Sequence, residues 1–204
     1  MASQGPLMPA TYTTVYDYGR PWVNHENIQV EDGIFSTNQH ALPYGWSADA
    51  VRLTNFGFSI PTDATIGGIL LEVKAKCNYY ADYPDYQHAS HSAWLWWGGA
   101  LHGNNQYSAA WGTTLSVISV GGTNNKWGAS PTPANFNDSG FGIYFNSGYE
   151  SFATDDAILS IDVVKMTVYY TLAGYQHKVL GVPAANIAKI MGIPIANVGK
   201  FCGV

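Results

Sequence analysis

Between Ile66 and Tyr80 the chain alternates. Ile69, Leu71, Val73, Ala75 and Cys77 are apolar, and Glu72, Lys74 and Lys76 fall between them. A period of two puts one set on each face of an extended strand, with one face buried. The stretch 157–171 repeats the pattern, with Val164, Met166, Val168 and Tyr170 on one face and Lys165, Thr167 and Tyr169 on the other. Shorter strands are predicted at Val51–Ile60, ended by Pro61, and at His91–Trp97, turned by Gly98-Gly99. Others are predicted at Thr113–Val120, closed by Gly121-Gly122, and at Phe141–Phe145. Only the C-terminal tail suggests helix, so the crossover helices of a parallel α/β sheet are missing. The expectation is all-β: an antiparallel β-sandwich of jelly-roll type over residues 25–173. Residues 1–24, with Pro6, Pro9 and Pro21, read as an extended N-terminal arm.

The tail, 174–204, repeats with a period of 11: KVLGVPAANIA, KIMGIPIANVG, then KFCGV. Lys178, Lys189 and Lys200 superpose, as do Gly181, Gly192 and Gly203. An 11-residue period can mean one long supercoiling helix, but each unit here carries a Gly and a Pro, which break helix interiors. The expectation is a short C-terminal helical repeat, in one- to two-turn pieces punctuated by Pro183, Gly192, Pro194 and Gly203. Ile187, Ile190 and Met191 then share an apolar face at i, i+3, i+4, and Val198, Phe201 and Cys202 share the next. Helices this short need a neighbour. That neighbour is the chain's own domain, a sister subunit or another protein. The tail holds three lysines and no acid, whereas the rest of the chain has a net charge of −8. A cationic, apolar tail on an acidic body suits docking, with Ile187, Ile190, Met191, Val198 and Phe201 as the face and Lys178, Lys189 and Lys200 flanking it.

Only 11% of residues are charged, about half the usual share, while Gly numbers 22 and aromatics reach 14%. That composition is typical of extracellular or virion β-proteins and of chains whose surface is covered in an assembly. A net charge of −5 argues against general nucleic-acid binding. The N-terminus lacks a basic start and an apolar core, so no secretory signal is expected, and no run has the length of a membrane-spanning helix. The expectation is a soluble chain without a membrane partner. Cys77 and Cys202 are the only cysteines. A disulfide between them and two buried free thiols are both open, the thiols being the expectation.

Candidate chemistry is sparse. The segment 79–88 gathers tyrosines and carboxylates, and Tyr80, Asp82, Tyr83, Asp85 and Tyr86 are the candidate glycan contacts, by ring stacking and hydroxyl hydrogen bonds. The same residues suit a wet subunit interface. Asp82, Asp85, His88 and His91 have metal-ligand types at close spacing, but a site needs three or four of them to converge, and no metal is expected. Trp94 and Trp96 share one strand face and Trp97 the other, which suits a strand covered on both sides or a carbohydrate-binding platform. The paired carboxylates Glu31-Asp32 and Asp155-Asp156 are sequence neighbours that point apart on a strand. No nucleophile elbow, catalytic triad or phosphate loop stands out. The expectation is no enzyme and no cofactor.

Three stretches carry a resemblance. Phe56-Gly57-Phe58-Ser59-Ile60-Pro61 runs on to Ala64-Thr65-Ile66 and Gly67-Gly68-Ile69. Trp127-Gly128 precedes Phe141-Gly142-Ile143, and Ile161-Asp162 opens a strand ending Val168-Tyr169-Tyr170-Thr171. Together they resemble a β-sandwich module of tailed-bacteriophage virion proteins. The terminal repeat is similar to C-terminal tails of phage structural and tail-associated proteins. The resemblance covers residues 50–204 and implies a virion part rather than a chemistry. It implies a capsid decoration or head fibre, or a tail-tip or fibre component. Its partners would be other virion proteins and further copies of itself, a trimer suiting a fibre or spike. A receptor-recognition module for host-surface glycan is the alternative, and a polysaccharide-degrading enzyme a more distant one.

Overall fold

The computed structural model describes residues 1–15, 20–40, 48–78, 88–108, 111–150, 157–172, 189–190 and 193–194. Ten strands form two five-stranded antiparallel sheets. The first sheet holds β1 (Ala2–Leu7), β3 (Ser36–His40), β5 (Thr65–Asn78), β8 (Ser116–Gly122) and β10 (Ala157–Thr171). The second holds β2 (Thr11–Val15), β4 (Ala50–Thr54), β6 (His88–Trp97), β7 (Ala100–Tyr107) and β9 (Gly142–Glu150). Four antiparallel pairs are nested: β6 with β7, β5 with β8, β4 with β9, and β3 with β10. A long hairpin folded over itself in this way, with successive pairs falling in alternate sheets, is the jelly roll that the spacing of strands led us to expect. Its tip is Gly98-Gly99, at φ 59° and 83°. Positive φ at both positions belongs to a two-residue hairpin turn whose twist matches the strands, and glycine adopts it without strain.

The alternating residues face as their period demands. Ile69, Leu71, Val73, Ala75 and Cys77 of β5 are fully buried, as are Val164, Met166 and Val168 of β10. They pack against Leu53, Leu95, Ile143 and Phe145 of the opposite sheet. Cys77 is a free thiol in this core, and burial pushes its pKa up to about 12. Cys202 lies outside the described residues.

Several segments differ from expectation. The segment 1–24, expected as an arm, is extended where described, but it contributes an edge strand to each sheet, β1 against β10 and β2 against β4. The strand at Val51 ends at Thr54, because Asn55 (φ 59°) and Gly57 (φ 74°) leave the β region. Phe56, Phe58 and Ile60 still turn inward, and Asn137 clamps Ile60 by accepting from its N–H at 2.7 Å and donating to its carbonyl at 2.8 Å. A one-turn helix, α1 (Pro133–Asn137), forms in the polar stretch where none was expected. Thr132 and Asn135 cap it reciprocally, and Phe136 anchors it. β7 was missed because ALHGNNQY carries no apolar alternation. At its four described positions the tail is strand and not helix: Lys189–Ile190 pairs antiparallel with Ile193–Pro194. Ile190 and Ile193 are β-branched and directly opposed, which suits a ladder better than a helix too short to hold itself.

The two outer faces differ in character. On the first sheet, β10 carries a bulge between Ile161 and Val163, and Asp162 is the extra residue. Its buried carboxylate accepts from Gly33 N–H at 2.9 Å and pairs with Lys74 Nζ at 2.8 Å. Glu31 bridges Lys74, at 3.0 Å, and Lys165. Lys165 and then Lys74 hold the Glu31 carboxyl below the usual carboxylate range, while Asp162 and then Glu31 hold the Lys74 ammonium above its usual value. These ion pairs tie the segment 25–34 to the sheet.

Candidate functional site

The outer face of the second sheet is built from strands distant in sequence. In one row across β6, β9, β4 and β2, Trp94 opposes Tyr144, Tyr144 opposes Arg52, and Arg52 opposes Thr13. The next row holds Trp96, Gly142 and Thr54. Alternate residues share a face, so Trp94 and Trp96 stand on one side of β6 while Ala93 and Leu95 fill the core on the other. Trp94 and Tyr144 meet edge to face, with ring centroids 5.9 Å apart. The Arg52 guanidinium lies over the Trp96 ring, 4.9 Å from its centroid. β9 runs between β4 and β6, so Arg52 reaches that ring across β9 in a row where Gly142 has no side chain. A Cβ at Gly142 would lie 1.9 Å from the Leu53 carbonyl oxygen, so the close approach of β4 and β9 needs glycine there.

Trp94, Trp96, Tyr144 and Arg52 are all half-buried. Amide and hydroxyl groups flank them. Asn105 donates to Ser92 Oγ at 3.2 Å, and Ser92 opposes Asn146. Two polar atoms on this face are shut from water without a partner: Asn146 Oδ1 and Arg52 Nε. Buried polar atoms are nearly always satisfied, so each of these is a departure from the rule.

The structure separates the three tryptophans as the pleat requires and gives them different roles. Trp97 packs toward the core edge, stacked on His102 at 3.6 Å and near Phe141 at 6.1 Å. Trp94 and Trp96 form the platform. Arg52, Tyr144 and Asn146 were not among the sequence candidates. The signal that could have found them was the alternation Arg52/Thr54 and Tyr144/Asn146, but nothing local says which strands are neighbours.

Tyr80, Asp82, Tyr83, Asp85 and Tyr86 lie outside the described residues. Their bounding residues, Asn78 and His88, sit at one end of the sandwich, where Trp111 N–H reaches Ala89 O at 2.7 Å and Cys77 N–H reaches Gly112 O at 3.0 Å. Lys178, Ile187, Met191, Val198, Lys200 and Phe201 also lie outside the described residues, and of the docking face only Lys189 and Ile190 fall in the short hairpin. Among the described residues no group of three or more His, Cys, Asp or Glu is placed to hold a metal. His91 points inward and is 1% exposed. Trp111 Nε1 donates to its Nδ1 at 3.2 Å, which leaves the proton on Nε2, where no acceptor waits. Burial pushes the His91 pKa down to about 3. The Glu31 carboxylate is taken up by two lysines, and Asp32 accepts from Ile34 N–H at 2.9 Å, so neither is arranged as an acid/base pair. No described helix is long and apolar enough to cross a membrane.

No protein-family model matches the chain, and no curated protein does. A solved structure described as "CBM4 structure and function" is similar at a TM-score of 0.38, with 15% identity over 65% of this chain and 82% of that one. At that level of likeness nothing about this chain follows from it.

Proposed function

We propose that this chain is a non-catalytic, glycan-binding β-sandwich whose ligand lies across the outer face of β4, β9 and β6. The carrying observation is the half-buried Trp94 and Trp96, side by side on an outer sheet face with amides and hydroxyls around them. A sugar ring has apolar C–H faces and a polar rim. It therefore needs π surfaces beneath and hydrogen-bonding groups beside it.

The test is affinity electrophoresis through gels containing neutral or acidic polysaccharides. At least one polysaccharide is expected to retard the chain. Trp94→Ala should weaken that retardation by about thirtyfold, the effect of losing a hot-spot side chain worth roughly 2 kcal/mol. Its thermal stability should change little, because Trp94 lies outside the core. No retardation by any polysaccharide removes the proposal.

A second reading concerns where such a module works, and the 11-residue repeat favours it. In that reading the chain is a virion component, on the head or on the tail, docked through residues 174–204 beside further copies of itself. Deleting residues 174–204 is then expected to leave a folded body with its sugar binding intact that no longer joins its assembly. Because Trp, Tyr and Arg also mark protein hot spots, Trp94→Ala should leave the oligomeric state unchanged. A shift to monomer would turn the aromatic face into a subunit contact.

A further inference from the structure

Arg52 is the one cation beside the aromatic platform among the described residues. Among the described residues no carboxylate lies within ion-pairing distance of it, although the chain has 14 acids against 9 basic residues. On the opposite face Lys74 and Lys165 are paired with carboxylates, while Lys76 lies over the Phe35 ring, 4.7 Å from its centroid. Arg52 is held instead by the Trp96 ring, and its Nε–H is shut from water with nothing to donate to. Stacking on a ring leaves the edge of a guanidinium able to donate, and a planar anion matches that edge. On these strands the other ionised group besides Arg52 is Glu150, which lies at the far end of β9, opposite His88.

Resting on the glycan-binding reading, we infer that the ligand is an acidic saccharide, with the carboxylate of a uronic acid-type sugar received by Arg52 while a sugar ring lies on the aromatic platform. The guanidinium fork matches a carboxylate with two parallel N–H donors, and stacking over Trp96 fixes its place beforehand. A point charge on a flexible stem would offer neither. The body of the protein is acidic, so diffuse attraction does not bring a polyanion here. Binding has to come from a local, matched contact.

The experiment compares uronate polymers (polygalacturonate, alginate, hyaluronan) with neutral ones (galactan, dextran, β-glucan) and a sulfated one (dextran sulfate). Retention by at least one uronate polymer is expected, and methyl-esterifying its carboxyls should abolish it. Arg52→Gln should weaken uronate binding about tenfold or more. Arg52→Lys, which keeps the charge without the fork, should rescue only part of it. Lys126→Gln removes the same charge from an exposed site off this face and should change nothing. Retention by neutral polymers alone, equal in the parent chain and Arg52→Gln, overturns the acidic assignment and leaves the platform standing. Retention by dextran sulfate alone also overturns the carboxylate assignment. No retention by any polymer overturns both.

Discussion

Below pH 6.5 the protein is expected to lose stability by about 1.4 kcal/mol for each pH unit, through a single buried side chain. His91 is 1% exposed, and burial holds its pKa near 3, against 6.5 for a free histidine. The unfolded chain therefore takes up a proton at His91 as pH falls through 6.5, while the folded chain refuses it. Stability rises with pH wherever the unfolded state binds more protons, so this contribution is fully present above pH 6.5 and drains away toward pH 3. The loss reaches about 4–5 kcal/mol at its limit, a large share of the 5–15 kcal/mol that holds a typical domain together. Glu31 acts in the same direction at lower pH. Its folded pKa is depressed, so the support it draws from Lys165 and Lys74 is present above the ordinary carboxylate pKa and lost as pH falls through the folded value. Urea unfolding at pH 7, 5 and 4 measures the slope. His91→Gln keeps an acceptor for Trp111 and should flatten the slope between pH 6 and 4. An equal slope in both chains would mean that another group carries it.

Trp127→Ala should cost about 3–5 kcal/mol, the usual range for emptying a large aromatic site, and lower Tm by roughly 10 °C. Trp127 is fully buried and sits at φ 59°, and its Nε1 donates to Ile69 O at 3.2 Å. Its own carbonyl accepts from Asn104 N–H at 2.6 Å, so one residue links β5 to β7. Removing the ring leaves both a cavity and a buried carbonyl without its partner. Trp127→Phe, which refills most of the volume but has no N–H, should fall between, at about 1–3 kcal/mol. A loss below about 1 kcal/mol in Trp127→Ala would show that this site collapses freely and that the plug is not structural.

The parts of the fold legible from residues alone were those with a strong local period. β5 and β10 were visible because a half-buried strand must alternate, and the glycine pair at 98–99 marked the tip of the innermost hairpin. β7 was hidden, because its sequence, ALHGNNQY, does not alternate between apolar and polar residues. α1 was hidden in a stretch of Pro, Asn and Thr, where the cap of a one-turn helix has the composition of a loop. At the tail, Pro and Gly punctuation fits helical turns and tight hairpins alike, and the cross-strand pairing of Ile190 with Ile193 made the choice at the described positions.

The candidate site divides in the same way. That Trp94 and Trp96 share a face follows from the pleat and needs only the sequence, as do the sandwich class, the low charge and the cationic repeat. That Arg52, Tyr144 and Asn146 join them depends on β4, β9 and β6 being neighbours, and that order is settled by which buried faces fit together across the core. Local periodicity belongs to each strand by itself, whereas adjacency is a property of the packed whole. The two orphaned polar atoms exist only once β4, β9 and β6 lie side by side.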